Sequence, residues 1–230
     1  MEDVASHQRA DIDLISLLES KEADKLILPL INVTSGKEKH DDEDLPLHIA
    51  AQFQASEAVV EALLSAHPEA AKEKNDYGYL PLHVAARFQA SESVVEALLK
   101  AHPNAAKEND KYGYMPLHLA ARFQASEAVV EVLLKAHPES VKEKDNGGSL
   151  PLHLAVRCQA AAAVVEELLK AHPEAAEEKN NIGYLPLHLA AGFHVAEAVV
   201  EALLKAHPKA ATEKDDDGDL PLHLAAQSQA

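Results

Sequence analysis

Pro-Leu-His occurs six times in this chain, starting at Pro46, Pro81, Pro116, Pro151, Pro186 and Pro221, and every step is 35 residues. A period of that length constrains the fold more than any local feature. A unit so short cannot bury its own apolar face, so it must stack on copies of itself. The punctuation keeps the same register. Eleven of the twelve prolines fall in two columns of the repeat, and Gly78, Gly113, Gly148, Gly183 and Gly218 form a third. Five full units follow, 46–80, 81–115, 116–150, 151–185 and 186–220, then a half unit at 221–230.

One unit predicts helix, connection, helix, loop. Pro81 opens the first helix, where its missing N–H has no partner to lose. The stretch LHVAARF is short and Ala-rich, which lets a neighbour approach closely. Gln89-Ala90 is a tight connection, and Ser91 is the expected N-cap of the second helix, with Glu92 set against its positive end. Val94, Ala97, Leu98 and Ala101 lie at i, i+3, i+4 and i+7 and predict its apolar face. Pro103 ends the helix by keeping His102 out of the helical region, and His102 places partial positive charge in the last turn. The polar run NAAKENDKYG is the return loop, and Gly113 is free to take a positive φ there.

These residues resemble the ankyrin-repeat family. GYLPLHVAA is similar to that family's G-x-T-P-L-H-x-A-A, and VVEALL to its V-V-x-L-L-L, over roughly residues 11–230. The resemblance implies an all-α, ankyrin-type helical-repeat solenoid with finger-like turns. It also implies a non-catalytic scaffold that binds a partner protein on its concave face. Three departures stand out. The period is 35 where the family usually has 33, with the extra residues in the helix–helix connection and after the second helix. The family's Thr before Pro is Leu45, Leu80, Met115, Leu150, Leu185 or Leu220 here, so its hydroxyl cap is absent. The family's Gly-Ala-Asp-Val-Asn gives way to His-Pro-Glu-Ala-Ala. Upstream, Lys37-Glu38-Lys39 aligns with Lys72-Glu73-Lys74, which makes 1–45 an N-terminal segment with a degenerate capping repeat at 11–45, although Glu43 replaces the glycine. The half unit at the other end leaves an apolar face that a longer array or a partner would cover.

Composition narrows the function classes. The formal net charge of −17 disfavours nucleic acid and anionic membrane. A single Cys excludes a disulfide framework and fits a reducing, cytoplasmic or nuclear setting. The acidic first residues lack the apolar run of a signal peptide. Expected partners are therefore proteins, with the chain itself a monomer able to associate through its half repeat.

Fourteen histidines raise the question of metal. Equivalent positions in stacked helices lie about 8–10 Å apart, whereas zinc needs ligand atoms at about 2 Å, so a single column cannot chelate. The expected role is capping and hydrogen bonding. Collective titration near pH 6 is the milder alternative, and a histidine-based metal or pH sensor the remote one. Cys158 stands in the column of Phe53, Phe88, Phe123 and Phe193 and reads as packing, because no base is placed to activate it. No cofactor motif and no singular catalytic pair breaks the repeat, so no enzyme is expected within these residues. A second reading makes the chain the recognition arm of a larger enzyme or membrane protein.

Two columns stand above this background. All five tyrosines, Tyr77, Tyr79, Tyr112, Tyr114 and Tyr184, flank finger glycines, and three of four arginines, Arg87, Arg122 and Arg157, end the first helix. By the resemblance, both columns line the groove where ankyrin arrays bind proteins, and Tyr and Arg are enriched at binding hot spots. They are the candidate partner-binding residues, expected to be exposed and centred on 81–115 and 116–150. The competing reading packs Tyr finger against finger and pairs Arg with a finger carboxylate. The unit at 151 is the odd one, with Ala160-Ala161-Ala162-Ala163 in place of the Ser cap and its Glu, and is the expected weak point.

Overall fold

The chain is seen in a computed structural model that describes residues 43–228. All but the last three residues of the degenerate repeat expected at 11–45 lie outside them. Eleven α-helices and no strand occur among the described residues. They fall into two compact units that part between Lys111 and Tyr112. The first unit holds α1 (Pro46–Gln52), α2 (Glu57–Ala66), α3 (Pro81–Arg87) and α4 (Glu92–Ala101). The second holds α5 (Pro116–Arg122), α6 (Glu127–Ala136), α7 (Pro151–Arg157), α8 (Ala162–Ala171), α9 (Pro186–Phe193), α10 (Glu197–Ala206) and α11 (Pro221–Gln227).

Each unit stacks like on like. In the first, α1 packs on α3 and α2 on α4; in the second, α5, α7, α9 and α11 form one row and α6, α8 and α10 another. The first helix of a repeat has seven residues, too few to persist alone in water. Six of the seven in α3 are buried, so tertiary packing holds it. Ala85, Ala86, Ala120 and Ala121 are fully buried, which is the close approach that Ala-rich helices permit. Leu82, Leu98, Leu117 and Leu133 supply the bulk of the core, each buried leucine contributing about 1.5–3 kcal/mol.

The start of each first helix departs from an ordinary cap. Leu80 occupies the N-cap and has no acceptor to offer. His83, three residues in, reaches back instead, and its Nδ1 accepts from the Leu80 N–H at 3.2 Å. Half of a capping box is thus built with an imidazole. The second helices start as expected at Ser91 and Ser126, whose hydroxyls accept from Val94 N–H at 3.4 Å and Val129 N–H at 3.3 Å. Ala161 makes no such bond, nor does Ala196 one repeat later, nor Ser56 at the start of α2, so three of the five second helices among the described residues lack it. The apolar face of α4 is set by Val94, Val95 and Leu98, with Ala97 and Ala101 only half-buried.

After each second helix the His-Pro step works as predicted. His102 leaves the helical region at φ −140° and ψ 84°. The next residues are more ordered than a loop: Pro103–Lys107 form a 3-10 turn, and the same turn follows every other second helix. Gly78, Gly113, Gly148, Gly183 and Gly218 all take positive φ. Glu43 does too, at 61°, so the finger turn survives at the position where the glycine is lost. A second left-handed column was not foreseen. Gln54, Gln89, Gln124 and Gln159, in the helix–helix connection, have φ between 56° and 59°.

Candidate functional site

The fingers are small closed turns, and their first residue makes them so. Asn75 Oδ1 accepts from the N–H groups of Tyr77 and Tyr79 at 3.0 and 2.9 Å, while the Gly78 N–H donates to the Asn75 carbonyl at 2.9 Å. Asp145, Asn180 and Asp215 do the same in the second unit. This Asx closure sends alternate residues to opposite sides. Tyr77 is 43% exposed, whereas Tyr79 is 7% exposed.

The Pro-Leu-His histidine ties finger to helix. Its Nδ1 accepts from a backbone N–H, so its Nε2 carries the proton and donates. His83 gives it to Glu108 O at 3.0 Å, and His118 to Glu143 O at 3.0 Å. His153 shares its proton between Glu178 O at 3.0 Å and Tyr184 O at 3.1 Å. Both ring nitrogens are occupied, and no lone pair is left for a metal. Burial pushes the His118 and His153 imidazoles down to about 4, against the pull of those carbonyls. His188 is lowered for the same reason. Among the described residues, one carboxylate group has metal-ligand spacing, Glu127, Glu131 and Glu167, and Lys135 and Lys170 already pair with Glu131 and Glu167 at 3.1 and 2.8 Å.

The two candidate columns meet where a finger folds back over the first helix of the following repeat. Arg87 Nη1 donates to the Tyr79 hydroxyl at 2.9 Å, and its guanidinium carbon lies 5.7 Å from the Tyr79 ring centre and 5.5 Å from that of Phe88. In the second unit Arg122 donates to Tyr114 at 2.6 Å and lies 5.3 Å from its ring and 5.5 Å from Phe123. A phenol accepts a hydrogen bond from each of these arginines. Each tyrosine also rests on the next Pro-Leu-His histidine, at 6.0 Å for Tyr79 and His83 and 6.1 Å for Tyr114 and His118. The expectation of full exposure is corrected by these contacts: Arg87, Tyr114 and Arg122 are half-buried and Tyr79 is buried. Tyr112, at 54%, is exposed beside them.

Arg157 and Tyr184 are not brought into such a cluster. Ser149 occupies the tyrosine position eight residues before Arg157, and Cys158 replaces the phenylalanine after it. Tyr184 stacks on His188 at 5.8 Å, but Gly192 stands at its arginine position. Burial raises the Tyr184 phenol, and the nearby carboxylates of Asp215, Asp217 and Asp219 push it the same way.

Helices paired through a tight connection, fingers closed at glycine and Pro-Leu-His stapled across the finger are the features that decide the family. The sequence profile of ankyrin repeats matches three stretches, 14–107, 89–176 and 160–230. The chain belongs to the ankyrin-repeat family. Comparison with curated proteins returns no match. Ankyrin repeats are in general protein–protein interaction modules and typically non-catalytic. No helix among the described residues is long and apolar enough to cross a membrane.

Sequence reasoning missed one ankyrin element here. Three of the left-handed glutamines bond the end of the next repeat's first helix: Gln54 Nε2 donates to Phe88 O at 2.6 Å, and Gln124 and Gln159 to Cys158 O and Phe193 O at 2.6 and 2.5 Å. The signal was available. A glutamine repeats at the position where the tight connection calls for a residue that tolerates positive φ.

Proposed function

We propose that this ankyrin-repeat protein is a non-catalytic scaffold that binds a partner protein through its Tyr–Arg–Phe clusters. The observation that carries the reading is that a complete cluster occurs at only two places among the described residues, Tyr79, Arg87 and Phe88 in the first unit and Tyr114, Arg122 and Phe123 in the second. A guanidinium held by a phenol and two ring faces loses little freedom when it meets a ligand, and its planar fork suits a carboxylate or backbone carbonyls. The exposed Tyr77 and Tyr112 add large, stiff contact area next to each cluster. Arg157 and Tyr184 act as single contacts at the margin. The surrounding charge of −17 favours a partner segment with basic flanks and an acidic or carbonyl-rich centre, and works against nucleic acid and anionic membrane. A single cysteine suits an intracellular, cytoplasmic or nuclear setting.

The test is affinity capture with the intact chain, followed by titration of the captured protein against variants. Tyr112→Ala, which touches an exposed side chain, and Arg122→Ala should each weaken binding by about 1–2 kcal/mol, as hot-spot truncations do. Tyr114→Phe should weaken it less, since the ring stays. Unchanged affinity together with a lowered thermal midpoint would make the clusters packing devices and end the binding reading.

A further inference from the structure

We propose that His207, clamped between Glu177 and Glu213, is a pH-dependent latch that holds the 186–220 repeat to the repeat before it. The evidence begins with a break in one column. Four residues after the proline of each His-Pro step the chain has Lys72, Lys107, Lys142, Glu177 and Thr212. Lys72 and Lys142 stay within their own turns, on Glu69 at 2.8 Å and Glu139 at 2.9 Å. Glu177 reverses the charge. It caps a 3-10 turn one residue shorter than the others, Pro173–Ala176. Its carboxylate reaches the next repeat, where Oε1 lies 3.6 Å from His207 Nδ1. On the opposite edge of the ring, Glu213 Oε1 lies 2.6 Å from Nε2.

Two carboxylates on the two nitrogens of one imidazole can both be given a donor only by the charged ring. His207 is 9% exposed and is the C-cap of α10, its N–H bound to Leu203 O at 2.8 Å, so its backbone is held in place between the two carboxylates. The other charged groups of the elements packed around it are accounted for. Lys205 and Lys209 flank it on α10 and on its own 3-10 turn. Lys179 donates to Lys214 O at 2.6 Å. From the preceding turn, Glu174 pairs with His172 at 3.1 Å and Glu178 with Lys144 at 2.8 Å. On the side of α11, Asp219 pairs with His223 at 3.2 Å. Glu177 is therefore the carboxylate committed across the repeat boundary. When the ring is protonated both contacts are made. When it is neutral the ring has one proton, keeps the short contact to Glu213, and turns a lone pair toward Glu177.

Hydrogen exchange of the full chain at pH 5.5 and pH 8, corrected for intrinsic rates, reads the latch at the amides of 199–207. Protection should fall with rising pH by roughly two- to fivefold more in the natural sequence than in Glu177→Lys or Glu177→Gln, the scale of a partly exposed ion pair. At pH 5.5, protection of 199–207 in Glu177→Gln should fall toward the value that the natural sequence shows at pH 8. An identical pH ratio in all three proteins, or no loss of protection in Glu177→Gln at pH 5.5, would overturn the latch. Neither readout depends on the partner-binding proposal.

Discussion

The imidazole of each buried Pro-Leu-His does two jobs that no other side chain of its size combines. One nitrogen accepts from the backbone N–H that starts the helix, and the other donates to a finger carbonyl. Only the neutral ring can do both. That fixes the sign of the pH dependence. With His118 and His153 held near 4 in the fold and an ordinary value of 6.5 when unfolded, the unfolded chain binds more protons between those limits. Stability is complete above about pH 6.5 and declines as pH falls toward 4, on the order of 2–3 kcal/mol per histidine. Urea midpoints at pH 7.5 and pH 5 should show the fall, and His118→Gln should start lower but lose less. A flat profile in the natural protein would contradict the neutral-ring assignment. Gly113 offers a second test at this scale. Its φ is 80°, and a Cβ there would stand 2.6 Å from Asn146 Oδ1 and 2.9 Å from Asn146 N. Gly113→Val should cost about 1–3 kcal/mol through both strain and this contact, read as a lower denaturation midpoint at constant slope.

Among elements, the second helices differ chiefly in how they begin. α4 and α6 have serine hydroxyls on their third N–H, whereas α8 and α10 begin at Ala161 and Ala196 without a side-chain acceptor. α8 also lacks an acidic residue in its first turn. A missing cap costs about 1 kcal/mol, and opening of a local segment responds to that directly. Hydrogen exchange should therefore be faster in 161–172 than in 91–102, and Ala161→Ser should slow it. Equal protection in both segments would show that packing against α6 and α10 outweighs the cap. In α2, Ser56 occupies the cap position with its hydroxyl buried and unbonded, so the residue type alone does not guarantee the bond.

Within each compact unit, stacking makes every repeat a neighbour's core, and the buried Pro-Leu-His histidines there spend both ring nitrogens on backbone groups. Chelation with EDTA should leave helicity and thermal midpoint unchanged, because the buried histidines have no free nitrogen to ligate. A loss of several degrees on chelation would overturn that assignment. The charge of −17 acts at this scale too. It should make association with a basic-flanked partner fast at low salt and slower as salt screens it, measured as the on-rate against ionic strength.

Periodicity alone determined the repeat, the helix pair, the His-Pro break and the positive-φ glycines, because each is a local rule copied at a fixed step. Proline limits its own φ and that of the residue before it, and a backbone turn with positive φ selects glycine wherever it occurs. What the tertiary structure decided is where a side chain finds its partner across the repeat. Tyr79 and Arg87 are eight residues apart, and only the finger folding back over the first helix puts a phenol on a guanidinium. Glu177 differs from Lys72 and Lys142 by one visible change of charge, yet its meeting with His207 depends on the next repeat stacking behind it. The glutamines hold a left-handed backbone that their own conformational preference opposes, because the bond to the following repeat repays it. Such pairings depend on distances set by packing, and a sequence pattern carries no distances.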